Sequence, residues 1–169
     1  MQTDENLILE FQRGSEEAFD ELFARYREPI YGFFQRRLPD RQRAEDLTQE
    51  TFLAVIRGAA RYEPRSLART YLYGIALKLV AAERRRAARA RAGLSREVPA
   101  GEAAPEASLW IRQALEKLED AEREILMLRE YEQLSYHEIA ALLRLPVNTV
   151  RTRLFRARLS LKEHLHATR

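Results

Sequence analysis

The side chains of this 169-residue chain that could engage a ligand fall into three groups. Asn148, Thr149, Arg151, Thr152, Arg153, Arg156 and Arg158 combine amide, hydroxyl and guanidinium donors in one short stretch, the set that meets phosphates and base edges in nucleic acid. Asp46, Gln49 and Glu50 stand i, i+3 and i+4 apart, which gathers them into one patch of a helix. Two carboxylates so placed could share acid–base work, but no apolar surroundings accompany them to push their pKa values apart. From spacing alone, a solvated helix face is the better reading. His137, His164 and His166 do not make a metal site, because residues two apart on a helix, as the last two are, point to different faces. The chain has no cysteine, which excludes thiol catalysis, disulfides and zinc fingers. With no glycine-rich phosphate loop and no nucleophile set beside a base, the chain reads as a binding protein rather than an enzyme, without cofactor or metal.

The basic group depends on the segment before it. Ser135 and Glu138 have the spacing of a capping box and start a helix over SYHEIAALLR. Ile139, Leu142 and Leu143 supply its apolar stripe, Ala140 leaves room for a close helix crossing, and Pro146 disfavours helical geometry at Leu145. A tight turn follows. The next helix, from about Val147, directs Val150, Leu154, Leu161 and Leu165 to a core and places Arg151, Arg153, Arg156, Arg158 and Lys162 on its other faces. That order is a helix-turn-helix, whose second helix enters the major groove of DNA.

The net charge of +3 hides a strong division. Residues 78–91 and 144–169 together hold +11, which leaves −8 on the remainder. Two basic islands on an acidic body suit two polyanion contacts and a third partner surface of different charge. Tyr71 to Ala82, the longest weakly polar run, is interrupted by Lys78 and too short to span a bilayer, and Met1 to Glu10 is acidic rather than signal-like. A cytoplasmic protein without membrane insertion is expected.

The apolar pattern is helical throughout, so the expected fold class is all-α, with two small helical domains joined by a flexible linker. Leu7, Ile8 and Phe11 share one face, and Gly14 breaks the chain before Ser15 caps a second helix carrying Ala18, Phe19, Leu22, Phe23 and Tyr26. This helix continues or restarts after Pro29 with Ile30, Phe33 and Phe34. A third starts at Pro39 and Asp40, buries Ala44, Leu47, Thr51, Phe52 and Val55, and turns Glu45, Asp46, Gln49 and Glu50 outward. After the irregular RGAARYEPRS, a fourth runs from about Leu67 into the arginine cluster. Residues 1–90 form the first domain. Residues 91–107, rich in glycine, proline, alanine and charge, read as a tether whose full reach is roughly 55–60 Å at about 3.3–3.6 Å per residue. Residues 108–169 form the helix-turn-helix domain, with Leu109, Ile111, Leu115 and Leu118 in its core beside Ile125, Leu126 and Leu128 of a helix from Asp120.

Four blocks in this order, EEAFDELFARYREPIYGFFQRRL, AEDLTQETFLAVI, RTYLYGIALKLVAAERRR and LEDAEREILMLREYEQLSYHEIAALLRLPVNTVRTRLFRARLSLKEHL, resemble the extracytoplasmic-function (ECF) group of bacterial RNA polymerase sigma factors. The likeness covers nearly the whole chain. It implies that Asp46, Gln49 and Glu50 dock on a coiled coil of the largest subunit of core RNA polymerase. It also implies that Tyr62, Tyr71, Tyr73, Lys78, Arg84, Arg85 and Arg86 serve the −10 element as single-stranded DNA, through ring stacking and phosphate contacts, with one or two of the tyrosines buried. Tyr71 takes the family's usual tryptophan position, while Lys78 and Ala82 depart from a common asparagine and acid. Asn148, Thr149, Arg151, Thr152 and Arg153 would read the double-stranded −35 element, with Arg156 and Arg158 on backbone. Arg144 and Asn148 stand where glycines are usual. The resemblance further implies an anti-sigma factor as partner. The alternative is a polymerase-independent helix-turn-helix transcription regulator, for which the acidic patch would have no use.

Overall fold

The computed structural model of the chain describes residues 1–93 and 106–167, so most of the expected 91–107 tether lies outside the described residues. The chain divides into two compact units, Met1–Gly101 and Glu102–Arg169. Among the described residues, all regular structure is helical.

The first unit contains α1 (Asp4–Gln12), α2 (Glu16–Arg37), α3 (Arg41–Gly58), a single 3-10 turn (Ala59–Arg61) and α4 (Ala68–Arg91). Short polar residues set the starts. Thr3, Ser15 and Asp40 accept backbone N–H bonds from Asn6, from Ala18, and from Gln42 and Arg43, respectively, relieving donors that have no partner within the helix. Gly14 joins α1 to α2 at φ +100, a backbone state that a side chain resists. Pro29 lies inside α2 without ending it; the helix is one piece, because the proline sits on the exposed side, where water can satisfy the carbonyl it frees. Leu7, Ile8, Leu22, Ile30, Phe33, Phe34, Leu47 and Leu72 form the sealed core. Phe19, Phe23 and Phe52 add an edge-on ring cluster between α2 and α3.

The second unit contains α5 (Glu106–Glu116), α6 (Asp120–Glu130), α7 (Tyr136–Leu143) and α8 (Val147–Ala167). Both halves of the capping box are made: Glu138 N–H donates to Ser135 Oγ at 3.1 Å, and Ser135 N–H donates to Glu138 Oε2 at 3.3 Å. Arg144 closes α7 in the left-handed conformation, φ 54 and ψ 48, and its N–H returns to the Ala140 carbonyl. Arg123 donates to the Leu115, Glu116 and Leu118 carbonyls at 2.8–3.0 Å and so ties the end of α5 to α6. Ala114, Leu118, Ile125, Leu128, Leu134, Ile139, Val150, Leu154 and Ala157 form the core.

Three residues expected in that core are outside it. Leu109 and Ile111 are 42% and 44% exposed, since α5 seals at its C-terminal end through Ala114 and Leu118 and leaves its earlier apolar residues open. Leu165 is 36% exposed because the last buried residue of α8 is Ala157, and the helix continues past its packing partners. Leu161 is half-buried.

Candidate nucleic-acid and polymerase interfaces

On α3 the spacing of Asp46, Gln49 and Glu50 puts them on one face, opposite the buried Ala44, Leu47, Thr48, Thr51 and Val55. Gln49 and Glu50 are exposed, and Asp46 is half-exposed. Behind them lies a cation that the sequence did not announce. Arg43 Nη1 is 3.9 Å from Asp46 and 3.8 Å from Glu50, while its Nη2 donates to Glu83 of α4 at 2.8 Å. The bond to Glu83, ahead of the two longer contacts, holds the Arg43 pKa above its usual value. Gln42 adds a bond to Asp46 at 3.2 Å. The same face continues into Leu53 and Ile56, each 45% exposed, so an acidic patch runs into an apolar one. Their signal in the sequence is that both fall off the buried stripe.

The three tyrosines separate. Tyr62 and Tyr73 are 6% and 3% exposed, which removes both from the rings able to stack on DNA. Tyr62 donates its hydroxyl to the Ser66 carbonyl, and Tyr73 packs on Phe33 with ring centroids 5.6 Å apart. Burial, aided by the charge of Glu5, pushes the Tyr62 phenol up to about 12. Tyr71 is half-buried, with its ring 5.1 Å from that of Tyr62, and burial also raises its pKa. Its hydroxyl lies where a Cβ on Gly58 would approach to 2.6 Å, so only glycine at the end of α3 admits the ring in this pose. Lys78, Arg84, Arg85 and Arg86 are all exposed. Tyr71, Lys78 and Arg85 are seven residues apart and form one stripe of α4.

Two residues of α1 that sequence reasoning passed over hold this region in place. Leu67, the N-cap of α4, has no side-chain capping bond; Glu5 supplies it from across the fold, accepting the Ala68 N–H at 2.9 Å. Gln12 Nε2 donates to the carbonyls of Ala59 and Tyr62 at 2.5 and 2.8 Å. No local motif marks either role, because both partners are backbone groups about fifty or more residues away.

On α8, Asn148, Arg151, Thr152 and Arg156 are exposed, and Thr149 and Arg153 are half-buried. Asn148 Oδ1 accepts from Arg151 at 3.2 Å and its carbonyl accepts from Thr152 at 3.0 Å, which orders the first turn. Arg158, expected on backbone phosphate, is instead bonded to Glu130 of α6 at 2.8 Å. That bond, with a second to Tyr136, raises its pKa. The structure therefore brings Asn148, Thr149, Arg151, Thr152, Arg153 and Arg156 to the start and middle of one helix, with Arg158 next along it, exposed and paired with Glu130.

Two family models match: Sigma-70 region 2 over residues 22–90 and Sigma-70, region 4 over residues 108–161. The RNA polymerase sigma-H factor of Pseudomonas aeruginosa is 34% identical, covering 92% of this chain and 90% of its own. The ECF RNA polymerase sigma-E factor of Escherichia coli is 31% identical over 92% and 91%. The chain belongs to the ECF sigma factors. The RNA polymerase sigma factor CarQ of Myxococcus xanthus is 35% identical over 92% and 93%. Among solved structures, CnrH in complex with the cytosolic domain of CnrY aligns with TM-score 0.78 at 26% identity, covering 98% of this chain and 99% of that one. The sigma factor RpoE in complex with the anti-sigma factor NepR from Bartonella quintana aligns with TM-score 0.72 at 23% identity, over 89% and 98%. In this sigma factor, region 2 carries the α3 and α4 faces and region 4 carries the helix-turn-helix; its function is promoter-directed transcription initiation.

Proposed function

We propose that this sigma factor binds core RNA polymerase through Asp46, Gln49 and Glu50, with the largest-subunit coiled coil as the partner, and performs no chemistry of its own. Residues 1–90 are then the docking and −10 domain, residues 91–107 the tether, and residues 108–169 the −35 domain. Tyr71 is the ring available to an unstacked base, and Lys78, Arg84, Arg85 and Arg86 meet the phosphates of the opened strand. Asn148, Thr149, Arg151, Thr152 and Arg153 meet the −35 duplex, with Arg156 on its backbone. The protein works in the cytoplasm, and an anti-sigma factor is a further partner, as NepR is for RpoE in the solved complex of those two proteins.

The observation that carries the reading is the capped helix-turn-helix, with its exposed Asn148–Arg151–Thr152 turn, joined in one chain to an acidic helix face that a polymerase-independent regulator would not need. Runoff transcription with core enzyme on a promoter library tests it. Selective transcripts are expected. They should fall when Asp46 and Glu50 are reversed in charge, through loss of core binding, and change in promoter preference when Arg151 or Arg153 becomes alanine. A chain that neither captures core enzyme nor supports any transcript would refute it.

A further inference from the structure

The connection between α3 and α4 is held by a single stripe of α1. Glu5, Ile8 and Gln12 are spaced i, i+3 and i+7 and so share one face over two turns, about 10.5 Å of helix. Ile8 is fully buried and fixes that face against the core. At one end of the stripe, the amide nitrogen of Gln12 donates to two acceptors, the Ala59 and Tyr62 carbonyls, at 2.5 and 2.8 Å. At the other end, Glu5 accepts the Ala68 N–H at 2.9 Å. The helix is itself anchored to α2, since Asp4 accepts from Arg25 at 2.7 Å and from the Tyr26 hydroxyl. Between the two holding points the chain makes one turn, in which the Ser66 N–H donates to the Glu63 carbonyl at 3.3 Å. Glu63, Pro64, Arg65, Ser66 and Leu67 are all exposed, a five-residue arc that ends four residues before Tyr71.

We infer that α1 sets base preference at the −10 element without touching DNA, and that Gln12 is the positioning residue, because it fixes where the arc 63–67 stands beside Tyr71. The inference rests on the reading that Tyr71 faces the opened strand, and adds to it a residue of another helix. An arc tied at one end only would sample many backbone states, and ordering it around a base would cost conformational entropy at that moment. An arc already held delivers its contacts in full and discriminates between bases by a fixed shape. The chemistry at position 12 is demanding. A primary amide has two hydrogens to donate, one for each carbonyl, whereas a carboxylate of the same shape would set oxygen against oxygen. Gln12 is exposed, so a substitution there changes the hold on the arc and leaves the core untouched.

The test uses the full chain with core RNA polymerase and a promoter that it transcribes. Two runoff templates that differ at the most selective −10 position compete in one tube, and a second pair differs at one −35 position. Specificity is a difference between two affinities, so the transcript ratio within a tube does not depend on how much protein is folded or bound to core. Gln12→Glu is expected to lower the −10 ratio about fivefold toward unity, the scale that loss of one or two partly exposed hydrogen bonds supports, with the −35 ratio unchanged. Gln12→Lys, which returns a donor of similar reach, is expected to recover at least half of the loss. An unchanged −10 ratio in Gln12→Glu, an equal fall in the −35 ratio, or no recovery in Gln12→Lys would overturn the positioning role while leaving Tyr71 as the strand-facing ring. A wild-type chain with no −10 preference would instead overturn the strand reading on which the inference rests.

Discussion

Glu5 is expected to control the −10 region from the far end of the first unit, 63 residues from the amide it caps. Glu5→Ala removes the only side chain among the described residues bonded to the first N–H of α4, since the N-cap, Leu67, provides none. Loss of an N-terminal cap costs about 0.5–2 kcal/mol, and loss of a carboxylate at the positive end of a helix adds about 0.3–1 kcal/mol when partly exposed. Glu5 is half-buried, and because one carboxylate makes both contributions they overlap, so the loss falls below the sum of the two midpoints, at about 1.5 kcal/mol together. In a unit of this size that lowers the melting temperature by about 6–12 °C, at 4–8 °C per kcal/mol. Glu5→Gln keeps an acceptor but not the charge and should lose about half as much. The decisive assay is amide exchange at residues 68–71, which should speed by about tenfold for the alanine variant, the factor that 1.4 kcal/mol corresponds to. Melting within a degree of the wild type, with unchanged exchange at Ala68, would show that the start of α4 is held by other contacts and refute the argument.

The remaining predictions concern single residues. Arg144→Gly should stabilise the second unit by about 0.5–1 kcal/mol in urea unfolding, because Arg144 is exposed, occupies φ 54, and L residues there are strained by about 1–2 kcal/mol, partly offset by the greater unfolded freedom of glycine; a loss of stability would show that the Arg144 side chain matters more than its backbone. Arg156→Ala should reduce the salt slope of duplex promoter binding by about 0.9, while Arg158→Ala, already paired with Glu130, should reduce it far less; equal reductions would contradict that pairing in solution. The Tyr62 phenol, raised to about 12 from an ordinary value of 10.0, favours the folded state below pH 10, and that contribution is lost as pH climbs toward 12; Tyr62→Phe should flatten this alkaline fall in a stability-versus-pH series. Glu83→Gln, although on α4, should weaken core-polymerase binding about two- to fivefold, because Arg43 would then turn its charge wholly onto Asp46 and Glu50; unchanged affinity in a pull-down titration would disprove the coupling.

What could be read from the sequence was local. The capping box at Ser135 and Glu138, the caps at Ser15 and Asp40 and the 3.6-residue stripes of α2 and α3 each involve partners within a turn or two, so residue type and spacing determine them. Burial of a particular ring was not local. Tyr62, Tyr71 and Tyr73 have the same chemistry, and which two are enclosed depends on Phe33 and Gly58 on other segments. The overestimate of core at Leu109, Ile111 and Leu165 has the same origin: an apolar stripe states which face would be buried, and the partner helix decides how far along that face the burial runs. The partner of Arg158 was equally hidden, because an arginine on a basic helix looks like its neighbours until Glu130 of another helix is placed beside it.

These long-range contacts make the first unit more than a frame for two independent faces. Arg43 stands on the docking helix, yet its shortest bond is to Glu83 on α4. Glu83 in turn lies between Arg43 and Arg86, one of the charges assigned to the opened strand. A cationic partner at Asp46 and Glu50 competes with Arg43 for them, and an anionic strand at Arg86 competes with Glu83. Each competition leaves the Arg43–Glu83 pair with fewer rivals, so the two ligands act in the same direction on a shared pair that is itself mostly enclosed, Glu83 being 13% exposed. Positive coupling between two binding events requires that each favour the same arrangement of a common element. On the proposed docking and strand contacts, the Arg43–Glu83 bond is such an element, placed where α3 meets α4.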